Sequence, residues 1–294
     1  MSTAKHPPKS FSIIIPAKNE QSSLMKILPK IRQNLPDAEI IVVNDGSSDN
    51  TNDVCRIHNV GIVTHPYSMG NGAAIKSGAR SATGDILVFM DADGQHDPAD
   101  INKLLSELDA GFDMVVGARH SSTHATLGRG CANAVYNRLA SWMVGRRIED
   151  LTSGFRVVRT KKFREFLYLL PNGFSYPTTI TMSFFRAGYP VSYLPIHAGQ
   201  REGKSHINPW RDGAKFLLII FKVGTLYSPL KIFVPISSAF FLTGLGYYLY
   251  TYLTISRLTN MSVLLFSTSM LIFLIGLVSE QITALLYRHT SNKD

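Results

Sequence analysis

Cysteine is nearly absent: Cys55 and Cys131 are the two in 294 residues. They lie far apart and have no metal-ligand spacing, which argues against a disulfide framework and fits a reducing compartment. Each reads as a small buried apolar residue. The first ten residues, MSTAKHPPKS, have no apolar core of the kind a signal peptide needs and read as a disordered lead-in (1–10). The glycine loops that cradle phosphates are missing too, since neither GxxxxGK[ST] nor GxGxxG occurs. No internal repeat is present. Acids are scarce beside bases, 21 Asp and Glu against 30 Lys and Arg, for a net charge of +9. Such an excess suits nucleic acid, an anionic membrane surface or a phosphorylated small molecule. No nucleic-acid-binding motif is present, which favours the other two.

Charge disappears altogether near the end of the chain. Ile232 to Ile255 is an uncharged run of 24 residues, and Met261 to Ser279 a second of 19 that an apolar helix can extend to Tyr287. About 20 apolar residues cross a bilayer core. The connector SRLTN is short, so the two runs read as a transmembrane hairpin (230–288) with a short tail (289–294). Lys215, Lys222 and Lys231 precede it, Arg288 and Lys293 follow it, and only Arg257 lies in the connector. The positive-inside rule then puts the N-terminal part in the cytoplasm, at the plasma membrane in a prokaryote. Glu280, late in the second span, is expected to reach the cytoplasmic interface. Trp210 to Pro229, basic and aromatic around an apolar centre, reads as a helix in the membrane interface (207–229).

The first 200 residues alternate strand and helix signals, the pattern of a mainly parallel α/β sheet. Expected strands are Phe11–Ile15, Glu39–Val43, Gly61–Thr64, Asp85–Met90, Asp113–Gly117 and Val191–Leu194. Expected helices are Gln21–Asn34, Asn50–His58, Asn71–Ala82, Pro98–Asp109 and Arg129–Val144. Asp97-Pro98 is a helix-start signal, an N-cap acid before a proline.

In such sheets ligands bind beyond the carboxyl ends of the strands. Three of those ends are chemically loaded: PAKNE (16–20), NDGSSDNT (44–51) and DADGQ (91–95). DADGQ offers oxygen donors at alternate positions, suited to a hard divalent cation, Mg²⁺ or Mn²⁺. His96 beside it reads as an exposed turn residue. The lone GNG at Gly70 to Gly72 is either an approach to a phosphate or a plain helix start.

SIIIPAKNE, VNDGSSDNT, DILVFMDADGQHDP, VVGAR and DLTSGFRV, in this order, resemble the family 2 glycosyltransferases of GT-A fold. DLTSGFR with a downstream REGKS is most similar to the polyprenyl-phosphate sugar synthases, the type of dolichol-phosphate mannose synthase. The resemblance runs from Phe11 to Ser205, within an expected catalytic domain of 11–206. It implies a GT-A domain, Rossmann-like, followed by the interface helix and the hairpin. It also implies roles. Pro16, Ala17, Glu20 and Asp45 would bind the nucleotide sugar. Asp91, Asp93 and Gln95 would hold the metal. Arg119 and Arg156 would face phosphates, and Arg201, Lys204 and Ser205 would close over the diphosphate. Asp150 would be a base or an orienting acid.

The implied enzyme is an inverting hexosyltransferase. It moves a sugar from a UDP- or GDP-hexose to a polyprenyl phosphate, undecaprenyl or dolichyl, and a homo-oligomer is compatible with the resemblance. Processive polysaccharide synthases carry a QxxRW motif, and neither Trp142 nor Trp210 sits in that context. The alternatives are a transferase to hydroxyl acceptors, with Glu149 or Asp150 as base, and an idle membrane scaffold.

Overall fold

A computed structural model of the chain describes residues 10–119, 127–173, 176–196, 221 and 224–291. Two compact units meet in sequence at Ile207/Asn208.

The first unit is built on seven strands: β1 (Phe11–Ala17), β2 (Glu39–Asn44), β3 (Gly61–Thr64), β4 (Ile86–Phe89), β5 (Met114–Arg119), β6 (Arg156–Arg159) and β7 (Val191–Ile196). They form one sheet in the order β3-β2-β1-β4-β6-β5-β7. All run in one direction except β6, which is antiparallel to both β4 and β5. The six expected strands are present, with ends moved by at most two residues. Ile13–Ile15 and Leu87–Phe89 are fully buried, as befits strands covered on both faces. Each such side chain stabilises the fold by about 1.5–3 kcal/mol relative to exposure.

The helices of this unit are α1 (Gln21–Asn34), α2 (Thr51–Ile57), α3 (Asn71–Ser81), α4 (Asp100–Asp109), α5 (Leu127–Val144), α6 (Thr160–Glu165) and α7 (Tyr176–Arg186). Helix α1 buries Leu24, Ile27, Leu28 and Ile31, one stripe at helical spacing. Helix α4 starts two residues later than expected. Asp97 instead closes a turn, its carboxylate accepting the Ala99 N–H at 3.0 Å and its carbonyl the Asp100 N–H at 3.1 Å. An aspartate that bonds two residues ahead competes with helix geometry at its own position. Strand β6 and helices α6 and α7 were not foreseen. Cys55 is buried and free, with burial pushing its thiol up to about 11.

The second unit is a hairpin of α8 (Pro229–Ile255) and α9 (Asn260–Ser291). Pro229–Ile255 and Asn260–Tyr287 are long and apolar enough to cross a membrane. Ser256, in a left-handed conformation, ends α8. Two serines bind each other's backbone across the pair: Ser237 Oγ donates to the Ser269 carbonyl and Ser269 Oγ to the Ser237 carbonyl, both at 2.9 Å. Gly244 packs on Leu265 and Phe266, and Gly276 on Phe233. Small and hydroxyl residues at the seam are how helices pair where hydrophobic driving force is lacking. Glu280 accepts the Leu230 N–H at 3.4 Å, one of the donors that the start of α8 leaves open. Most of the expected interface helix at 207–229 lies outside the described residues.

Candidate active site at the carboxyl edge of the sheet

Strands β1 and β2 end side by side, and the loops after them are sewn together. Asn19, at φ 58°, donates its N–H to Ser47 Oγ (3.0 Å) and accepts the Ser48 N–H on Oδ1 (2.8 Å). The Gln21 N–H reaches Asp49 at 3.1 Å. Pro16, Ala17 and Glu20 lie on this shelf, where the Glu20 carboxylate accepts the Ser23 hydroxyl at 2.9 Å.

Asp45 departs from its expected role. Its buried carboxylate accepts the Met69 N–H (2.7 Å), the Gly70 N–H (2.9 Å) and the Ser68 hydroxyl (2.8 Å), and pairs with His65 Nδ1 (2.8 Å). Burial alone would raise its pKa; the His65 bond, then those of Met69, Ser68 and Gly70, outweigh it and hold the group below its ordinary range. A carboxylate with four partners clamps residues 65–70 and is not open to a base or ribose. Gly46 permits the clamp: at φ 69° it packs against Tyr67 and Ser68, where a Cβ would stand 2.6 Å from the Ser68 nitrogen. His65 Nε2 continues to Ser77 Oγ at 2.9 Å. Nothing local in the sequence signals this line of three residues.

The GNG turn is a packing device. Gly70 and Gly72 lie against the backbone of residues 171–173, and the Ala73 N–H donates to the Asn172 carbonyl at 3.1 Å. The start of α3 is thereby covered by protein.

Strand β4 delivers Asp91 and Asp93, both half-buried, to the same edge. Asp93 Oδ1 accepts the Gln95 N–H at 3.2 Å, which curls the loop. His96 is not the exposed turn residue expected. It is 5 % exposed and stacks on Phe155, with ring centroids 4.8 Å apart and planes 12° from parallel. Its Nδ1 has no hydrogen-bond partner among the described residues. Burial depresses its pKa to about 4 against the opposing pull of Asp93. The unfolded chain takes up that proton near pH 6.5 and the folded one only near 4. Stability therefore falls as pH drops through this window, by about 3 kcal/mol in all. His96→Leu should flatten that slope in denaturant titrations of the metal-free protein between pH 4 and 7; an unchanged slope would refute the assignment.

Strand β5 ends at Arg119, whose guanidinium grips Asp150 through Nε (2.8 Å) and Nη2 (3.0 Å) and donates from Nη2 to Thr152 Oγ1 (2.7 Å). The Arg119 N–H (3.3 Å) and the Thr152 N–H (3.0 Å) and hydroxyl (3.1 Å) also reach Asp150. Burial would raise the Asp150 pKa, but the Arg119 guanidinium outweighs it and holds the carboxyl below the usual range. Of the Arg119 side chain, 27 % remains exposed. Burial works against its charge, yet Asp150, with further pull from Asp91 and Asp93, raises its pKa.

Arg156 does not face the open edge. It is 0 % exposed, bonded to the carbonyls of Ser153 and Pro177 and to Thr181 Oγ1, and Tyr176 lies 5.9 Å from its guanidinium carbon. The expectation of a phosphate contact fails because the strand turns this side chain into the core. The residues missed by the sequence reading are therefore Thr152, Ser153, Gly154 and Tyr176. The signal for Thr152, Ser153 and Gly154 lay in the quoted DLTSGFRV block, where Ser153-Gly154 can also be only a turn; Tyr176 lies outside every quoted block. Arg201, Lys204 and Ser205 lie outside the described residues.

The family model for glycosyl transferase family 2 matches residues 12–167, more than half the chain, including Asp45, Asp91, Asp93, Arg119, Asp150 and Arg156. The chain belongs to this family. The model of the GtrB C-terminal hairpin matches residues 228–285, which are α8 and most of α9. The glycosyltransferase AglJ of Haloferax volcanii is 26 % identical, over 95 % of both chains. Polyprenol monophosphomannose synthase of Mycolicibacterium smegmatis is 28 % identical, over 67 % of this chain and 80 % of its own. Among solved structures, glucosyl-3-phosphoglycerate synthase of Mycobacterium tuberculosis, in complex with Mn²⁺, UDP and glucosyl-3-phosphoglycerate, aligns with a TM-score of 0.60 at 19 % identity, over 74 % of this chain and 79 % of that one. The family 2 glycosyltransferase is thus a mixed, mainly parallel GT-A sheet followed in sequence by a GtrB-type hairpin of two helices long and apolar enough to cross a membrane, and a polyprenol monophosphomannose synthase is among its relatives.

Proposed function

We propose that the chain moves one hexose from a UDP- or GDP-hexose to the phosphate of a polyprenyl carrier, undecaprenyl or dolichyl phosphate, with inversion at the anomeric carbon. The observation that carries this reading is the committed state of Asp150. A hydroxyl acceptor needs a base to take its proton. Asp150 receives five hydrogen bonds, three of them from Arg119. Glu149 points its carboxylate at Arg147, 3.9 Å away. A phosphate monoester needs no such base, because its second pKa is about 6. The GtrB-type hairpin and the polyprenol-linked relative support a lipid acceptor.

In this reading a lipid phosphate oxygen bonds to the sugar's anomeric carbon, and the bond from that carbon to the diphosphate breaks with its electrons. Asp150 and Thr152 hold the Arg119 guanidinium through Nε and Nη2, which leaves Nη1 to meet a phosphate with a charge-assisted hydrogen bond. Two half-buried carboxylates with Gln95 beside them fit Mg²⁺ or Mn²⁺. Among the described residues no group of three or more His, Cys, Asp or Glu is arranged for a metal, so such an ion would complete its shell from water and substrate phosphate. When bound, it would neutralise charge on the leaving diphosphate. Pro16, Ala17 and Glu20 line the nucleotide side, and Arg201, Lys204 and Ser205 are assigned to the diphosphate. A homo-oligomer fits the family resemblance.

The purified full-length protein is expected to move label from a UDP- or GDP-hexose into polyprenyl phosphate with Mg²⁺ or Mn²⁺, and to stop in chelator. Label reaching only hydroxyl acceptors would sink the proposal. The catalytic unit is assigned to the cytoplasmic side, the plasma membrane's inner face in a prokaryote, from the lysines and arginines flanking the hairpin. Protease outside sealed cells should leave it intact, and its digestion would reverse the assignment.

A further inference from the structure

The segment from Asp150 to Gly154 touches both halves of the site. At one end Asp150 and Thr152 hold Arg119. At the other, the Gly154 backbone lies against the Asp91 carboxylate: a Cβ at 154 would stand 2.6 Å from Asp91 Oδ2 and 3.1 Å from its Cγ. The middle is pinned from three sides. The Ser153 hydroxyl donates to the Gly117 carbonyl of β5 at 2.7 Å. The Ser153 carbonyl accepts Arg156 Nη2, and the Gly154 carbonyl accepts the Tyr176 hydroxyl at 3.5 Å.

Among the described residues no carboxylate pairs with Arg156. A guanidinium is costly to bury without one. Its Nη1 donates to the Pro177 carbonyl and Thr181 Oγ1 and its Nη2 to the Ser153 carbonyl, while Nε has no partner among the described residues, which makes it a strut under the segment.

We propose that residues 150–154 are a rigid spacer that sets the separation between Asp91 and Arg119, with Gly154 a positioning residue for Asp91 and Thr152 one for Arg119. The inference rests on reading Asp91 as a metal ligand and Arg119 as a phosphate contact. Transfer between two phosphates depends on holding donor and acceptor at a fixed distance, and a misplacement of about 1 Å costs on the order of a hundredfold. A single five-residue segment nailed to β5 keeps the two from drifting apart.

The spacer predicts a split between two single variants of the full-length protein in detergent. Gly154→Ala puts a methyl group where the Asp91 carboxylate sits, and the backbone there is not in the left-handed region. Mn²⁺ binding without substrate, followed by the electron paramagnetic resonance of free Mn²⁺, should weaken about tenfold or more. The KM for lipid phosphate should stay within about twofold of the parent's. Thr152→Val should do the reverse, raising that KM several-fold with Mn²⁺ binding unchanged. Thermal unfolding of both should stay near the parent's. If Gly154→Ala binds Mn²⁺ like the parent while Asp93→Ala does not, the spacer is overturned and the metal reading stands. If both bind like the parent, the metal reading itself falls. Equal losses on both axes in both variants would mean general loosening of the loop and would also overturn the spacer.

Discussion

Asp93→Ala is expected to lower sugar transfer by about a thousandfold or more while the protein stays folded. Removing one group that stabilises developing transition-state charge typically costs on the order of a hundred- to a thousandfold, and this one would also weaken a cation acting on the leaving diphosphate. The fold should tolerate the change. Asp93 is half-buried on a loop, and its hydrogen bond to the Gln95 N–H curls that loop without joining the core. Initial rates with labelled donor at saturating Mn²⁺, beside a thermal melt, measure both sides. Turnover near the parent's, or parent turnover that survives chelator, would contradict the assignment.

Asp150→Asn should lose about a hundredfold in kcat/KM for the lipid phosphate, and about 3 kcal/mol of stability. The new amide would aim N–H donors at an arginine that has only donors to offer, leaving a buried charge half-paired. The pair's contribution is present at neutral pH, because the folded carboxyl sits below its ordinary range; it is lost only as pH falls through that lowered value. If Asp150 were a general base, the variant would lose the acidic limb of the pH–rate profile. As a group that orients Arg119, it should keep that limb. Arg119→Lys should keep the charge but lose the fork that Asp150 and Thr152 engage, for an intermediate loss. Normal kcat/KM in Asp150→Asn would refute the orienting role.

Much of the sheet was legible because its strands are short apolar runs ending in polar turns. Ile13–Ile15 and Leu87–Phe89 look buried in the sequence and are. The edge where ligands meet such a sheet follows from its parallel direction, which is why Asp91 and Asp93 could be singled out. What the sequence hid was orientation. Asp45 and Arg156 stand at strand ends among the right neighbours, yet their side chains turn to partners 20 or more residues away: Met69 and Gly70 for one, Pro177 and Thr181 for the other. His96 is buried by Phe155, 59 positions along the chain. Strand β6 was missed for the same reason, since its four residues pair only with β4 and β5 and carry no local signal of their own.

That antiparallel strand also sets an order of assembly during synthesis. The free edge of β4 is filled by β6 alone, and Phe89 waits 67 residues for Arg156 to emerge. Strand β5 is made earlier but cannot dock, because it reaches the sheet only through β6. Until residue 159 has left the ribosome, a fully apolar strand presents an open edge, the kind of template on which nascent chains aggregate. The segment that spaces the two charges of the site leads straight into the strand that closes this gap. The open edge then passes to β5, which waits for Val191–Ile196, so the seven-stranded sheet is complete only shortly before the first residue of the hairpin is made.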